Sequence, residues 1–441
     1  MTQTCAHCNA LGEEQGAPAR RHASRRAFLG GATAVGVGAF AAPLLSTRLA
    51  FAASPTYAGD TVVVVSFRGG MDGLNVVVPA ADPYYYSERP TIAIPQGQLI
   101  ASGSTFGLHP ALAPLLPYWE AGSFGAVHAV GQPDPTRSHF EAMEEMERAA
   151  PGSSLRTGWL DRALGVRGAG SVFQAVQLGN SLPSAALNGP APDLALGSID
   201  DFTLWAADDS DPVVAAANVA QWSTALSALH KGAPAVLGAP VKAAVGAVTT
   251  TAQLKKDGYT PSNNAVYDET SDLAKALRDV ARLIRADIGL QVACIDYGDW
   301  DMHVDEGTFD KGWMKDHLGE LAAALAAFAQ DLGPKLNDVT LVTMSEFGRR
   351  IEQNGSGGTD HGHGNAMLLL GGGVNGGKVL GDWPGLAPEN RDPGDDLAGS
   401  NDYREVLAEI LRKRCGQSGL SEVFPGLGAG ELGVVQTRPT S

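Results

Sequence analysis

The sequence predicts an α/β fold in which a doubly wound, mainly parallel sheet is flanked by helices and interrupted by a helical insertion. Three observations lead there. Thr61-Val62-Val63-Val64-Val65-Ser66-Phe67 is an unbroken, largely β-branched run, the pattern of a strand buried on both faces. Further apolar runs recur along the chain with amphipathic stretches between them, and that alternation of strand and helix builds a parallel sheet covered on both sides. Glycine, at 55 of 441 residues, exceeds the usual share of roughly 7 %, which suits many tight turns between strands and helices.

In chain order, the first strand ends in the glycine-rich turn Arg68-Gly69-Gly70-Met71-Asp72-Gly73-Leu74-Asn75. Later strands are expected over 122–130, 172–178, 290–295, 339–344 and 366–370, and helices over 110–120, 138–149, 268–288, 311–330 and 402–412. The stretch 196–259 departs from this rhythm with an Ala/Val-rich, weakly amphipathic composition and reads as a helical insertion in the same domain.

Ahead of the first strand, Ser24-Arg25-Arg26-Ala27-Phe28-Leu29-Gly30 leads into an apolar run over 31–45, followed by Ala50-Phe51-Ala52. This is the pattern of a twin-arginine signal, so residues 1–53 are expected to be a signal peptide cleaved near Ala52 or Ala53, leaving one domain over 54–441. The expected partner is the twin-arginine export machinery, and the expected location is secreted, periplasmic or in the cell envelope. Pro43 and the small-residue site behind the run weigh against a permanent membrane span. The Cys5/Cys8 C-x-x-C would leave with the signal, so only Cys294 and Cys415 bear on the mature chain, where one disulfide is open.

Removing Arg20, Arg21, Arg25, Arg26 and Arg48 with Glu13 and Glu14 from the totals of 32 basic and 48 acidic residues leaves 27 against 46, a net charge of about −19. Such a surface repels nucleic acid and anionic lipid, and no basic run offsets it. A cation fits that field.

In an open α/β sheet, ligands bind beyond the carboxyl ends of the strands. The first strand delivers Arg68 and Asp72 there. The second is followed by Arg137, Ser138 and His139, and the fourth by Asp299, Asp301 and His303. The fifth delivers Glu346 and Arg349, and the sixth is preceded by Asp360, His361 and His363. Ser138, at the start of an acid-rich helix, reads either as a capping hydroxyl or as a nucleophile at a helix N-terminus. No G-x-S-x-G surrounds it, which sets aside an esterase-type elbow. The Asp-His-Gly-His loop and the Asp299/Asp301/His303 loop have the residue types of divalent-metal ligands. Glu346 is either part of that set or the ion-pair partner of Arg349 or Arg350. Arg68 and Arg137 suit bidentate anion clamps or carboxylate partners.

Arg68-Gly69-Gly70-Met71-Asp72-Gly73-Leu74-Asn75, Arg137-Ser138-His139-Phe140, Gly158-Trp159-Leu160, Trp300-Asp301-Met302-His303, Ser345-Glu346-Phe347-Gly348-Arg349 and Gly358-Thr359-Asp360-His361-Gly362 run in order through the mature chain. With them the chain resembles the exported bacterial domain-of-unknown-function family 1501, grouped with the alkaline phosphatase and sulfatase superfamily. That resemblance implies an alkaline-phosphatase-like fold and a two-metal site. By position, Ser138 matches the nucleophile, Asp301 or Asp299 with His303 the first ligand pair, and His361 or His363 the last histidine. Arg68 stands where a first-strand carboxylate is expected, with Asp72 displaced, and Glu346-Phe347 replaces Asp-His. The resemblance therefore implies one complete metal site, with Arg68 and Arg137 offering positive charge in place of a second ion.

The function expected is a hydrolase dependent on a divalent ion (zinc, calcium or manganese) and acting on a phosphate or sulfate ester of an anionic small molecule or polymer. In it Ser138 attacks, and His139 or His363 handles protons. The alternative is an exported binding or assembly protein that keeps the fold without the chemistry.

Overall fold

The computed structural model describes residues 57–167, 171–204 and 210–439. The twin-arginine segment, with Cys5 and Cys8, lies outside the described residues. In chain order the strands are β1 Thr61–Phe67, β2 Val77–Val78, β3 Gly107–Leu108, β4 Phe124–Gly131, β5 Ala175–Leu178, β6 Leu194–Leu196, β7 Val292–Tyr297, β8 Val339–Ser345, β9 Arg349–Gln353, β10 Thr359–His361, β11 Asn365–Gly371, β12 Val379–Leu380 and β13 Asn401–Asp402. Nine of them form one sheet in the order β12-β4-β11-β8-β1-β7-β5-β6, with β13 also on β4. The protein is thus mixed α/β with a large, mostly parallel central sheet.

Strand β1 shows why both faces are covered. Its side chains alternate, so Val63, Val65 and Phe67 enter one buried cluster and Val62 and Val64 the other. Helices Asp272–Arg285 and Trp313–Leu332 close the first face, and helices Trp159–Arg167 and Tyr403–Cys415 the second. Cys294 and Cys415 are buried and not in a disulfide, so the open pairing is not formed.

Strand β11 is the departure from a parallel sheet, since it runs antiparallel to both β8 and β4. A parallel neighbour needs a crossover, usually a helix. Between Ser345 and Asn365 the chain holds only the β9/β10 hairpin, so it returns in the opposite direction. Two expected elements shrink for local reasons. In 172–178 the Ser171 hydroxyl accepts from the Phe173 N–H and turns Val172–Gln174 into a 3-10 turn. Pro114 divides 110–120 into the 3-10 turn Pro110–Leu115 and the short helix Leu116–Glu120. The stretch 196–259 holds helices Pro212–Leu229 and Ala235–Asp257. Among the described residues, no helix is long and apolar enough to cross a membrane.

Register brings the strand ends together. Phe67 at the end of β1 pairs with Tyr297 of β7 on one side and Ser345 of β8 on the other. The turns after these strands therefore open at one edge, where the reversed β11 begins.

Candidate metal centre

The turn after β1 is the floor. Gly69 has φ +118°, and a Cβ there would sit 2.6 Å from the Asp301 nitrogen, so only glycine lets this turn lie against the loop after β7. The Gly69 N–H donates to Glu346 Oε1 at 2.8 Å, and the Trp300 N–H donates to the Arg68 carbonyl at 3.2 Å. The β9/β10 hairpin closes from above. It pairs His361 with Arg349 and lies on the His303 backbone, where a Cβ on Gly358 would come within 2.4 Å of the His303 carbonyl carbon and the Met302 oxygen.

Asp301 is the centre. Its Oδ1 is 2.7 Å from Arg349 Nη2, 3.0 Å from His303 Nε2, 3.1 Å from His361 Nε2 and 3.6 Å from His139 Nε2. Burial alone would raise its pKa, but the three imidazoles and the guanidinium hold the carboxyl well below the usual carboxylate range. Asp301 and Glu346 push His139 up to about 9 against its burial. His303 is raised, chiefly by Asp301 and with help from Asp360, also against burial.

Each imidazole is held from behind by an acceptor on its Nδ1. His139 Nδ1 is 2.8 Å from Glu346 Oε1, His303 Nδ1 is 2.9 Å from Asp360 Oδ1, and His361 Nδ1 is 2.9 Å from the Arg137 carbonyl. A carboxylate or carbonyl there requires Nδ1–H, which leaves the Nε2 lone pairs pointing inward. Three Nε2 atoms and Asp301 Oδ1 then meet, with protons between them only while His139 and His303 are charged. His303 Nε2 and His361 Nε2 are 2.9 Å apart, and His139 Nε2 is buried without a hydrogen-bond partner.

Such a set needs either protons or a cation. Ligands about 2.0 Å from a tetrahedral ion lie about 3.3 Å from one another, close to the 2.9–3.1 Å separations among Asp301, His303 and His361. The ligand atoms of His139, Asp301 and His361 all lie within 4.8 Å of one another. Imidazole-rich donors with one carboxylate suit zinc or manganese better than calcium, which prefers all-oxygen shells. The carboxylate and carbonyl behind each ring are the outer partners that metal-binding histidines usually have.

The remaining expected site residues fall into place around this set. Glu346 is fully buried and backs His139, with its pKa lowered by His139 and by backbone N–H groups, including that of Gly69, despite burial; it pairs with neither Arg349 nor Arg350. Asp360 backs His303 in the same way. Ser138 sits between Arg137, whose carbonyl holds His361, and His139. It has the backbone geometry of an N-cap, yet its hydroxyl makes no capping bond, so the capping role read from the sequence is not filled.

Four expected members are held elsewhere. His363 has Nδ1 on Asp392 at 2.6 Å and Nε2 on the Gln132 carbonyl at 2.9 Å, so both ring nitrogens are engaged away from the cluster. Asp72 caps the short turn Gly73–Val76 and forms a buried ion pair with Arg89, so its carboxylate is committed as well. Arg68 turns to Asp296 and Glu147 at 2.7 and 2.5 Å, so as an anion clamp it would first have to leave two carboxylates. Arg137 holds Asp396 at 2.5 Å while remaining partly exposed.

The sequence reading missed the role of Arg349. Its buried guanidinium donates to the carbonyls of Gly69, Gly70, Thr359 and Trp300 as well as to Asp301, joining the β1 turn, the β7 loop and the hairpin. The available signal was a lone arginine in Ser345-Glu346-Phe347-Gly348-Arg349, four residues beyond a buried strand end.

Residues 208–399 match the family described as a protein of unknown function, DUF1501. The match supports the family resemblance carried by the motifs. Asp301, His303, Glu346, Arg349, Asp360 and His361 all fall inside the DUF1501 segment, while Ser138 and His139 reach the cluster from outside it. No curated protein matches the chain.

Proposed function

We propose that this protein is an exported, metal-dependent hydrolase of phosphate or sulfate esters with an alkaline-phosphatase-like fold, and that Ser138 is its nucleophile. The observation that carries the reading is the convergence of three inward Nε2 atoms and Asp301 Oδ1, with the serine that precedes His139 in the chain leaving its hydroxyl unused as a helix cap. His139, Asp301 and His361, with His303, would hold the ion, which when bound supplies positive charge to the ester oxygens. Ser138 Oγ forms a bond to phosphorus or sulfur as the ester P–O or S–O bond breaks. The hydroxyl proton passes to the departing alkoxide through solvent, and water then cleaves the phospho- or sulfo-serine, regenerating the hydroxyl. The twin-arginine pattern supports export and, with it, a periplasmic, cell-envelope or extracellular setting for this activity.

The test is hydrolysis of aryl phosphate and aryl sulfate panels by purified protein, with and without added zinc or manganese. Metal-dependent turnover lost in Ser138→Ala, with the variant still binding metal, is the expected result; turnover unchanged by that substitution rejects the mechanism. A second reading has its own support: Arg349 already supplies a fixed cation to Asp301, and Arg68 is tied to two carboxylates. It makes the protein a binding or assembly factor on the same fold, and metal binding without turnover on either panel favours it.

A further inference from the structure

Helix Pro212–Leu229 contains no Asp, Glu, Lys or Arg, and twelve of its 18 residues are Ala, Val, Leu or Trp. A helix of that composition normally lies inside a protein. Here none of its residues with a described exposure is buried, and Val213 and Leu229 are each 76 % exposed. Its half-buried stripe, Ala215, Val219, Trp222 and Leu226, recurs at helical spacing and marks the face toward helix Ala235–Asp257, the element it packs on. That second helix reaches the main core through Ala247 and Leu254. The first is therefore an outer layer, with Val213, Ala217, Ala220, Thr224 and Ala228 facing solvent.

We propose that this outward face is where a second copy of the chain docks, hairpin against hairpin, in a two-fold four-helix layer. Charge chooses the occupant. The chain carries a net charge of −16, so two copies repel over most of their surface. In a two-fold contact each residue near the axis meets its own copy, and any charge there faces its like. A helix without a formal charge escapes that penalty. A lipid surface fits less well, because helices that lie in a membrane interface present Lys and Arg on the polar face, and this one has neither. At about 1.5 Å per residue the helix is about 27 Å long. The exposed part of its neighbour, including Leu237, extends the same outward face.

Sedimentation equilibrium of the purified protein between about 1 and 100 μM, the range in which a dimer of micromolar Kd fills, tests the proposal. The wild type should pass from monomer to dimer. The double variant Ala217→Glu/Ala220→Glu should raise the dissociation constant at least tenfold, with its circular dichroism and melting temperature unchanged because both side chains face solvent. A wild type monomeric throughout, or a variant that dimerises as well as the wild type, overturns the proposal. So does a monomer that floats with phosphatidylcholine vesicles, which would make lipid the occupant.

Discussion

His303 Nε2 and His361 Nε2 lie 2.9 Å apart with their Nδ1 atoms turned to Asp360 and to the Arg137 carbonyl. Two lone pairs cannot share that distance without a proton or a cation between or beside them. A divalent ion satisfies both, together with Asp301 and His139. The purified protein is therefore expected to hold a divalent ion in equimolar amount, and His361→Ala to lose it. Glu346→Gln leaves all four donors in place and alters the group that backs His139 and accepts from the Gly69 N–H. It is expected to weaken affinity about 10- to 100-fold, the usual cost of changing an outer partner. Competition with a chromogenic chelator measures both, and equal affinity in the wild type and His361→Ala would falsify the site.

Arg349 carries a separate prediction about stability. Its guanidinium is buried against four carbonyls and Asp301. Replacing it with a side chain of similar length and no donors strands those acceptors in the interior. Arg349→Met is expected to cost about 3 kcal/mol, chiefly from the buried carbonyls left without a donor, since Asp301 is half exposed. Arg350→Met removes a partly exposed arginine 3.9 Å from Asp396 and is expected to change stability by less than about 1 kcal/mol. Urea midpoints of the two variants, taken with chelator present, decide the matter; similar losses would show that Arg349 does not join the loops as described.

The glycine between those loops gives a third expectation. A Cβ at Gly69 meets the Asp301 nitrogen at 2.6 Å, in a backbone conformation L residues rarely adopt. Gly69→Ala should displace Asp301 from the imidazoles and reduce metal affinity at least tenfold while the sheet stays folded. Isothermal titration with zinc, alongside circular dichroism, tests it. Unchanged affinity would mean that the turn yields without moving the aspartate.

What the sequence made legible follows from how local each feature is. The run Thr61–Phe67 announces a doubly buried strand by itself, and the residues after it, after Tyr297 and after Ser345 reach one edge because parallel pairing aligns those ends. The histidines at 303 and 361 could be named from their loops. The commitments of Arg68 could not, because Glu147 comes from a helix 79 residues further on and Asp296 from a strand 228 residues away. Asp72 was misread for a similar reason, since Arg89 lies across an irregular stretch with no periodicity to place it. The β9/β10 hairpin also escaped notice. Arg349-Arg350-Ile351-Glu352-Gln353 has one apolar residue, and the hairpin is anchored instead by the Arg349 guanidinium and the Met302 carbonyl.

Away from the cluster, two histidines should set the acid limit of the fold. His128 Nδ1 accepts from the Ala129 N–H at 2.7 Å, so its Nε2–H donates to the Val77 carbonyl at 2.9 Å and the ring is neutral. His109 Nδ1 likewise accepts from the Ala111 N–H at 3.0 Å. Burial pushes both down to about 4. The unfolded chain protonates these rings near pH 6.5, and the native chain does not until near pH 4. Stability is therefore intact above about pH 6.5 and falls as the pH drops through that window, by about 3 kcal/mol for each ring at about 1.36 kcal/mol per pH unit. His128→Gln removes one of the two titrations. Its stability is expected to be lower than the wild type at pH 7 and to decline less steeply between pH 6.5 and 4. Urea midpoints across that range, with chelator present so that the Asp301 cluster contributes equally to both proteins, provide the comparison. Parallel curves would mean that the His128 ring takes up its proton in the folded state as readily as in the unfolded chain.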